Sequence, residues 1–109
     1  MKLNVKKVGF KKKKSQKSIL SNFFDSNYYL QEYEDIRKND LDPLDHYILF
    51  GWKEGRNPAP WFCNDSYLED NPDVAQADVN PLLHYALHGK KEGRIVRVVN
   101  KTIDSANNT

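Results

Sequence analysis

The sequence contains an internal duplication with a period of 38 residues, and this feature constrains the fold more than any other. Residues 24–58 align with residues 62–96 without a gap, and 15 of the 35 aligned positions are identical. Self-similarity at a fixed period indicates repeated structural units, each of which buries its apolar face against a neighbour. The chain is therefore expected to fold as two copies of one small unit.

Each unit is predicted to be helical. Asp25 and Asn64 are expected to be N-caps of a first helix, because their side chains can accept from free backbone N–H groups. A second helix is expected to begin where an aspartate or asparagine precedes a proline, at residues 42–43 and 80–81. Between the two helices, a short helical turn is expected to point Ile36 or its counterpart inward.

The end of each second helix is marked by a glycine. Gly51 and Gly89 stand where a left-handed C-terminal cap is expected. Apart from residues 95–99, no segment has strand propensity. The predicted fold class is therefore all-α, with two tandem helical repeats of about 38 residues and flexible tails.

Charge separates the chain into a basic tail and an acidic body. Residues 1–20 contain eight lysines and no acidic residue, whereas the rest contains 9 basic and 15 acidic side chains. A lysine-rich segment without a clean apolar stripe is expected to be disordered. The predicted organisation is a basic disordered tail at 1–20, repeat 1 at 21–60, repeat 2 at 61–98 and a polar tail at 99–109.

Composition excludes several classes of protein. No apolar run approaches the length that spans a bilayer, and the first twenty residues lack the apolar core of a secretory signal. The single cysteine, Cys63, excludes an internal disulfide and agrees with a reducing compartment. The predicted location is the cytoplasm, with peripheral contact at the inner face of the membrane as an additional possibility.

Both units contain a His-Tyr pair, at residues 46–47 and 84–85. Adjacent residues on a helix point in different directions, so these pairs do not predict an acid–base couple. We expect each tyrosine to pack in the core and each histidine to bond a loop carbonyl or a carboxylate. No nucleophile or partner accompanies them, and no catalytic residue is predicted.

Metal binding has one weak candidate in the sequence. His84 and His88 have the spacing of a two-histidine zinc pair, with Cys63 or Asp78 as a third ligand. Phe50 occupies the position of His88 in the first unit, which favours a surface role for this histidine. Neither a metal nor another cofactor is predicted.

A Lys-Glu-Gly-Arg sequence occurs at residues 53–56 and again at residues 91–94. One interpretation is that Arg56 and Arg94 grip a carboxylate or phosphate of a ligand. The favoured interpretation is a tight turn in which each glycine has positive φ, while glutamate and arginine tie one unit to the next.

Aromatic side chains offer a second kind of contact. Tyr28, Tyr29, Trp52 and Trp61 could stack on sugar rings, although core packing is the favoured interpretation. Trp52 stands out because Lys90 takes its place in the second unit, so the fold does not require an aromatic side chain there. The candidate glycan or partner contacts are Trp52, Arg56, Arg94 and Tyr28.

The favoured interpretation of the basic tail is a solvated segment, and the alternative is contact with an anionic membrane, because basic residues near acidic lipid each contribute about 1 kcal/mol. The lysines concerned are Lys6, Lys7, Lys11, Lys12, Lys13, Lys14 and Lys17. Nucleic acid is disfavoured as a partner, because the tail has no arginine and the body is acidic.

The repeated motifs resemble a short bacterial tandem repeat. The similarity lies in Phe24-Asp25-x-x-Tyr28-Tyr29-Leu30, in Asp42-Pro43-Leu44-x-His46-Tyr47, in Gly51-Trp52-Lys53-Glu54-Gly55-Arg56-Asn57-Pro58, and in the corresponding residues of the second unit. This repeat accompanies glycosyltransferases of surface-polysaccharide synthesis and some secreted calcium-binding repeat proteins. It carries no catalytic residues of its own.

The resemblance implies a non-catalytic accessory module linked to a glycosyltransferase or to surface-polysaccharide assembly. A partner protein from that machinery is expected, and the lysine tail is expected to add contact with anionic membrane. A carbohydrate-binding module and a fragment of a glycosyltransferase remain the alternatives. If the chain takes part in catalysis, it does so only as part of a larger glycosyltransferase.

Overall fold

The computed structural model describes residues 15–100, and this part of the chain is all-α, as predicted. Its elements are α1 (Gln16–Leu20), α2 (Ser26–Glu32), α3 (Glu34–Lys38), α4 (Pro43–His46), α5 (Asn64–Asp70), α6 (Pro72–Ala77) and α7 (Pro81–His84). Two π-helical turns, π1 (Tyr47–Gly51) and π2 (Tyr85–Gly89), continue α4 and α7. The elements from α5 to π2 therefore begin 38 residues after those from α2 to π1.

The predicted helix starts are mostly confirmed. The Asp25 carboxylate accepts from the N–H of Tyr28 at 3.0 Å, and the Asp42 carboxylate accepts from the N–H of Asp45 at 2.9 Å. Asn80 caps α7 in the same way, immediately before the proline that begins the helix. These side chains satisfy backbone donors that have no partner within the helix.

The prediction that Asn64 is an N-cap is wrong. Asn64 is the first residue of α5, and Cys63 stands at the cap position without a side-chain capping bond. The Asn64 side chain is fully buried, where its Oδ1 accepts from the Tyr47 hydroxyl at 2.6 Å and its Nδ2 donates to the Trp52 carbonyl. It therefore joins the two units, because a buried amide needs partners that the first unit supplies.

The predicted left-handed caps at Gly51 and Gly89 are also wrong. Both glycines close a π-helical turn, and the helical conformation continues through the residue that follows each of them. The N–H of Trp52 donates to the Tyr47 carbonyl at 3.1 Å, five residues earlier. Positive φ is instead found at Gly55 and Gly93, at 81° and 73°, as predicted for the Lys-Glu-Gly-Arg turn.

The core runs through both units and is rich in aromatic rings. Ile36 of α3 and its counterpart Val74 of α6 are buried, which confirms that the short helical turn between the two main helices points these side chains inward. The core consists of Leu20, Tyr29, Ile36, Leu44, Tyr47, Phe62, Tyr67, Val74 and Leu82. Because one cluster contains residues from both units, the units share a single apolar interior.

Helix α1 lies inside the segment predicted to be a disordered tail, so that prediction is wrong for residues 15–20. Ser15 caps the helix by accepting from the N–H of Ser18 at 3.1 Å. Leu20 is fully buried, and α1 packs against α7 of the second unit. Tertiary packing thus orders a segment whose composition alone does not predict a helix.

After π2 the chain is extended and returns to the start of the second unit. The N–H of Cys63 donates to the Arg97 carbonyl at 2.8 Å, and the N–H of Val99 donates to the Pro60 carbonyl at 2.8 Å. In the first unit, the N–H of Asp25 similarly donates to the Pro58 carbonyl at 3.0 Å. In each unit, the segment that follows the second helix therefore secures the start of the first.

Candidate functional site

Each unit contains a buried tyrosine bonded to a histidine. The Tyr29 hydroxyl lies 2.8 Å from Nδ1 of His46, and the Tyr67 hydroxyl lies 3.0 Å from Nδ1 of His84. Nδ1 of each histidine therefore bonds a tyrosine and not the expected loop carbonyl or carboxylate, whereas Nε2 of His46 does lie 3.8 Å from the Glu54 carboxylate. The tyrosine comes from the first helix and the histidine from the second, so the bond crosslinks the two helices of a unit.

The same bond explains the glycines at the end of each π turn. A Cβ atom at Gly51 would collide with the Tyr29 hydroxyl, and one at Gly89 would collide with the Tyr67 hydroxyl. Glycine is therefore required because the tyrosine approaches the backbone closely, and positive φ plays no part.

Burial favours the uncharged forms of Tyr29, Tyr67 and His84. Burial raises the pKa of Tyr67 to about 12 and also raises the pKa of Tyr29. Burial, helped by the positive charge of Arg94 and by His88, lowers the pKa of His84. In the second unit, a protonated Tyr67 beside a neutral His84 suits a hydroxyl that donates to Nδ1, and this bond holds the two helices together.

The two candidate arginines are engaged within their own units. Arg56 binds both carboxylate oxygens of Asp35 at 2.9 Å and reaches Glu54 at 2.8 Å. Arg94 binds both oxygens of Asp73 at 3.0 Å and reaches Glu92 at 2.8 Å. The expectation that this sequence ties one unit to the next is therefore wrong, since each arginine closes its own unit.

Electrostatics agree with this structural role. The Arg56 guanidinium holds the pKa of Asp35 below its ordinary value, and Arg94 does the same for Asp73. Asp35 raises the pKa of Arg56 in return. A ligand carboxylate or phosphate would have to displace a bidentate carboxylate that is already in place.

Apolar side chains are exposed on the second helix of each unit and form two equivalent grooves. Groove 1 is lined by Leu41, Asp42, Asp45, His46, Leu49 and Phe50. Groove 2 is lined by the six residues that lie 38 positions after those of groove 1, together with Ala77. These six are Val79, Asn80, Leu83, His84, Leu87 and His88. The duplication therefore reproduces a surface feature as well as the core.

The walls of these grooves are unusually exposed for apolar residues. Leu49 is 63% and Phe50 is 56% exposed in groove 1, and Leu87 is 41% exposed in groove 2. Most of the large apolar side chains that are exposed among residues 15–100 line one of the two grooves. Clustered exposure of this kind makes the grooves a candidate interaction surface, whereas single exposed apolar residues carry no such meaning.

Sequence reasoning missed the grooves, although one signal was available. Leucine is identical at positions 49 and 87, yet neither residue belongs to the buried stripe of its helix. An apolar residue shared by both units but not needed by the core is the pattern that could have indicated a surface role.

The predicted contact residues do not form one site. Trp52 lines a cleft between the two units, beside groove 1. Tyr28 is half-buried on α2, where burial raises its pKa to about 12, and it lines neither groove nor this cleft. Arg56 and Arg94 are held in the ion pairs described above.

The lysine cluster falls mostly on residues that the structure does not describe. Lys6, Lys7, Lys11, Lys12, Lys13 and Lys14 lie outside the described residues. Lys17 belongs to α1, and its ammonium group lies 2.9 Å from Asp45 and 3.4 Å from Asp42. This lysine therefore neutralises carboxylates at the start of α4.

The histidine pair of the second unit has no additional metal ligand nearby. The rings of His84 and His88 are 5.6 Å apart between centroids. Within residues 15–100, no three histidine, cysteine, aspartate or glutamate side chains come close enough together to hold a metal ion.

Among the described helices, none has the length and apolar character needed to cross a bilayer. Comparison with known proteins gives no relative, since no family model, curated protein or solved structure matches this chain.

Proposed function

We propose that the protein is a non-catalytic docking module that binds a partner protein through its two equivalent grooves. The observation that supports this proposal is the repeated exposure of apolar side chains, with Leu49 and Leu87 at the same position of the two units. Fully burying a leucine side chain contributes about 1.5–3 kcal/mol, so contact with Leu49 and Leu87 would contribute to the affinity for a partner.

The partner is proposed to present apolar side chains bordered by lysine or arginine. Residues 15–100 contain 14 acidic and 9 basic side chains, so the surface around the grooves belongs to a body of net negative charge. Asp42 and Asp45 line groove 1, but Lys17 already pairs with both carboxylates, so the proposed charge preference rests on the net charge of the body. Complementary charge would set the orientation of the partner and speed its association.

The proposed context is surface-polysaccharide assembly, with a glycosyltransferase or another assembly component as the partner. The support for this context is the resemblance of the Asp-Pro-Leu-x-His-Tyr and Lys-Glu-Gly-Arg motifs to the glycosyltransferase-associated bacterial repeat. The lysines of residues 1–14 are proposed to add contact with anionic membrane at its inner face.

Site-specific photo-crosslinking in the source cells tests this proposal. A photoreactive phenylalanine analogue is placed at position 49 or position 87, and crosslinked products are identified by mass spectrometry. We expect both positions to trap the same polysaccharide-assembly protein. The matched control is position 95, because Ile95 is 64% exposed and lies outside both grooves.

Binding of the purified pair then gives the quantitative test. Leu49→Asp and Leu87→Asp should weaken the affinity for the trapped protein, whereas Ile95→Asp should leave it unchanged. Each substituted residue is exposed, so the fold should tolerate the charge. Crosslinks that form equally at position 95, or that involve only proteins unrelated to polysaccharide assembly, would contradict the proposal.

A further inference from the structure

The cleft between the two units differs in chemistry from the grooves on either side of it. It has a volume of about 390 Å³, within the range typical of small-molecule sites. Trp52 and Lys53 come from the first unit, Asp78 comes from the second, and Gln16 comes from α1. Three separate parts of the chain therefore converge on one concave surface that combines an indole with a carboxylate, an ammonium group and an amide.

Trp52 packs partly against the core, but the second unit does not keep an aromatic side chain at this position. Its counterpart in the second unit is Lys90, and both residues follow the π turn in the same helical conformation. Trp52 is also only half-buried, with the Lys53 ammonium group 5.4 Å from the centre of its ring. An aromatic side chain that is not required by the repeated architecture and that lines a cleft is suited to contact with a ligand.

The polar groups of the cleft are available to a ligand. Asp78 and Gln16 are exposed, and within residues 15–100 neither side chain takes part in a hydrogen bond or ion pair. This differs from Asp35 and Asp73, whose carboxylates are each held by an arginine. The backbone of Asp78 has a φ of 57°, between the end of α6 and the cap of α7, so its position is set by two helices.

We propose that this cleft is a binding subsite for a neutral hexose unit of a glycan. The C–H face of a pyranose ring packs on an indole, and its hydroxyl groups both donate and accept hydrogen bonds. The Asp78 carboxylate can accept hydrogen bonds from two neighbouring hydroxyls, the Gln16 amide can donate and accept, and the Lys53 ammonium group can donate. The charges of Asp78 and Lys53 offset each other in the cleft, which favours a neutral sugar over a phosphate or carboxylate ligand.

The cleft shares Leu49 with groove 1 and Val79, Asn80 and Leu83 with groove 2, but the sugar proposal rests on Trp52, Lys53, Asp78 and Gln16, which line neither groove. It is tested on the full chain by two-dimensional ¹H–¹⁵N NMR, with the methyl glycosides of glucose, galactose, mannose and N-acetylglucosamine as probes. We expect at least one of them to give a saturable shift of the Trp52 indole N–H signal. Trp61 serves as an internal control, because it does not line the cleft.

Two substitutions locate the sugar. Trp52→Leu should weaken binding about tenfold, which corresponds to the loss of an aromatic stacking contact. Asp78→Asn keeps the size of the side chain and tolerates positive φ, so it should weaken binding without disturbing the fold. Asp40→Asn is its matched control, because Asp40 occupies the equivalent position of the first unit with a φ of 53° and lies outside the cleft.

Each other outcome overturns the proposal. No saturable shift with any of the four sugars removes the site, and equal shifts of Trp52 and Trp61 show contact that is not confined to the cleft. The proposal is also overturned if Trp52→Leu and Asp78→Asn both leave the affinity for the sugar unchanged. It is equally overturned if Asp78→Asn and Asp40→Asn weaken the affinity to the same extent. If no crosslinks form at the grooves, only the docking proposal is contradicted, and the result of the sugar titration still stands.

Discussion

The two units have the same internal bonds but different neighbours. Tyr29 with His46 and Tyr67 with His84 are equivalent pairs, so this bond belongs to the unit itself. Tyr47 is fully buried and bonds Asn64 of the second unit, whereas its counterpart is half-buried. Features that both units share therefore show what stabilises a single unit. Features that differ show which neighbouring part of the chain each unit packs against.

The counterpart of Tyr47 is Tyr85, and it packs against a different surface. Its ring lies 6.4 Å from Phe23 and 6.1 Å from Trp61 between centroids. Phe23 lies between α1 and α2, one residue before the aligned segment 24–58 of the first unit. The N-terminal segment therefore covers part of the second unit and supplies packing that two repeats alone would lack.

The largest expected effect comes from removing the inward tyrosine of each unit. Tyr47→Ala should lower the free energy of unfolding by about 3–5 kcal/mol, because it empties a buried aromatic site and leaves the buried Oδ1 of Asn64 without its hydroxyl donor. Tyr85→Ala should cost roughly half as much, since part of its ring is already exposed. Urea unfolding of both variants measures the difference, and equal costs would show that the two positions have equivalent surroundings.

The glycines after each tyrosine–histidine pair provide a sharper test. Gly51→Ala and Gly89→Ala should each destabilise the protein by about 1–3 kcal/mol, because the added methyl group collides with a tyrosine hydroxyl. In a Tyr29→Phe background the cost of Gly51→Ala should fall, since the obstructing oxygen is gone.

Gly55→Ala is the control for this cycle. Its cost arises from a φ of 81°, and the nearest side-chain atom to an added Cβ is 3.4 Å away on Asp65. Tyr29→Phe should therefore not rescue Gly55→Ala. If it did, the collision would not be the cause of the Gly51 effect.

Sequence predicted local features of this fold better than distant contacts. The start of α4 at Pro43 and the positive φ of Gly55 follow from the conformational limits of single residues, so short motifs were enough. The tyrosine–histidine bond joins residues 17 positions apart, and no spacing rule connects them. Helix α1 was missed because its stability comes from burying Leu20 against the second unit.

The grooves were missed for a related reason. Helical spacing places Leu44, Tyr47 and Ile48 against the core and leaves Leu49 and Phe50 off that stripe, but it does not show that exposed positions meet in a groove. Leu49 and Phe50 point into solvent despite being apolar. The identity of Leu49 and Leu87 indicated a shared role, but only the structure shows that this role is at the surface.

Acid should weaken the second unit through His84. Its folded-state pKa is lowered by burial and by the nearby Arg94, so the folded protein binds this proton less readily than the unfolded chain. The stability that depends on a neutral His84 is fully present above the unfolded pKa of about 6.5, and it is lost as the pH falls below that value. The free energy of unfolding should therefore be lower at pH 5 than at pH 7.

His84→Gln is the control for the pH experiment, because it removes the titrating group. The variant should lose part of the slope between pH 7 and pH 5, measured by urea unfolding at each pH. The Asp73 carboxylate does not interfere, since its lowered pKa places its titration below 3.8. An unchanged slope in His84→Gln would assign the pH dependence to other groups.

The smallest expected difference concerns how each arginine is held beyond its aspartate. The Arg56 guanidinium lies 4.8 Å from the centre of the Tyr33 ring, whereas the corresponding Arg94 donates to Oδ1 of Asn71 at 2.9 Å. A lysine at position 56 can still lie over the ring, since cation–π contact does not need a planar fork.

A lysine at position 94 cannot bond Asp73, Glu92 and Asn71 together, because its ammonium group presents one compact centre in place of a fork. We therefore expect Arg94→Lys to lower the melting temperature more than Arg56→Lys, with both shifts small because the aspartates are exposed. Calorimetry at low salt measures the pair, and raising the salt concentration should reduce the difference. A larger loss for Arg56→Lys would mean that Tyr33 selects for the guanidinium plane, so that stacking in the first unit outweighs the added amide bond in the second.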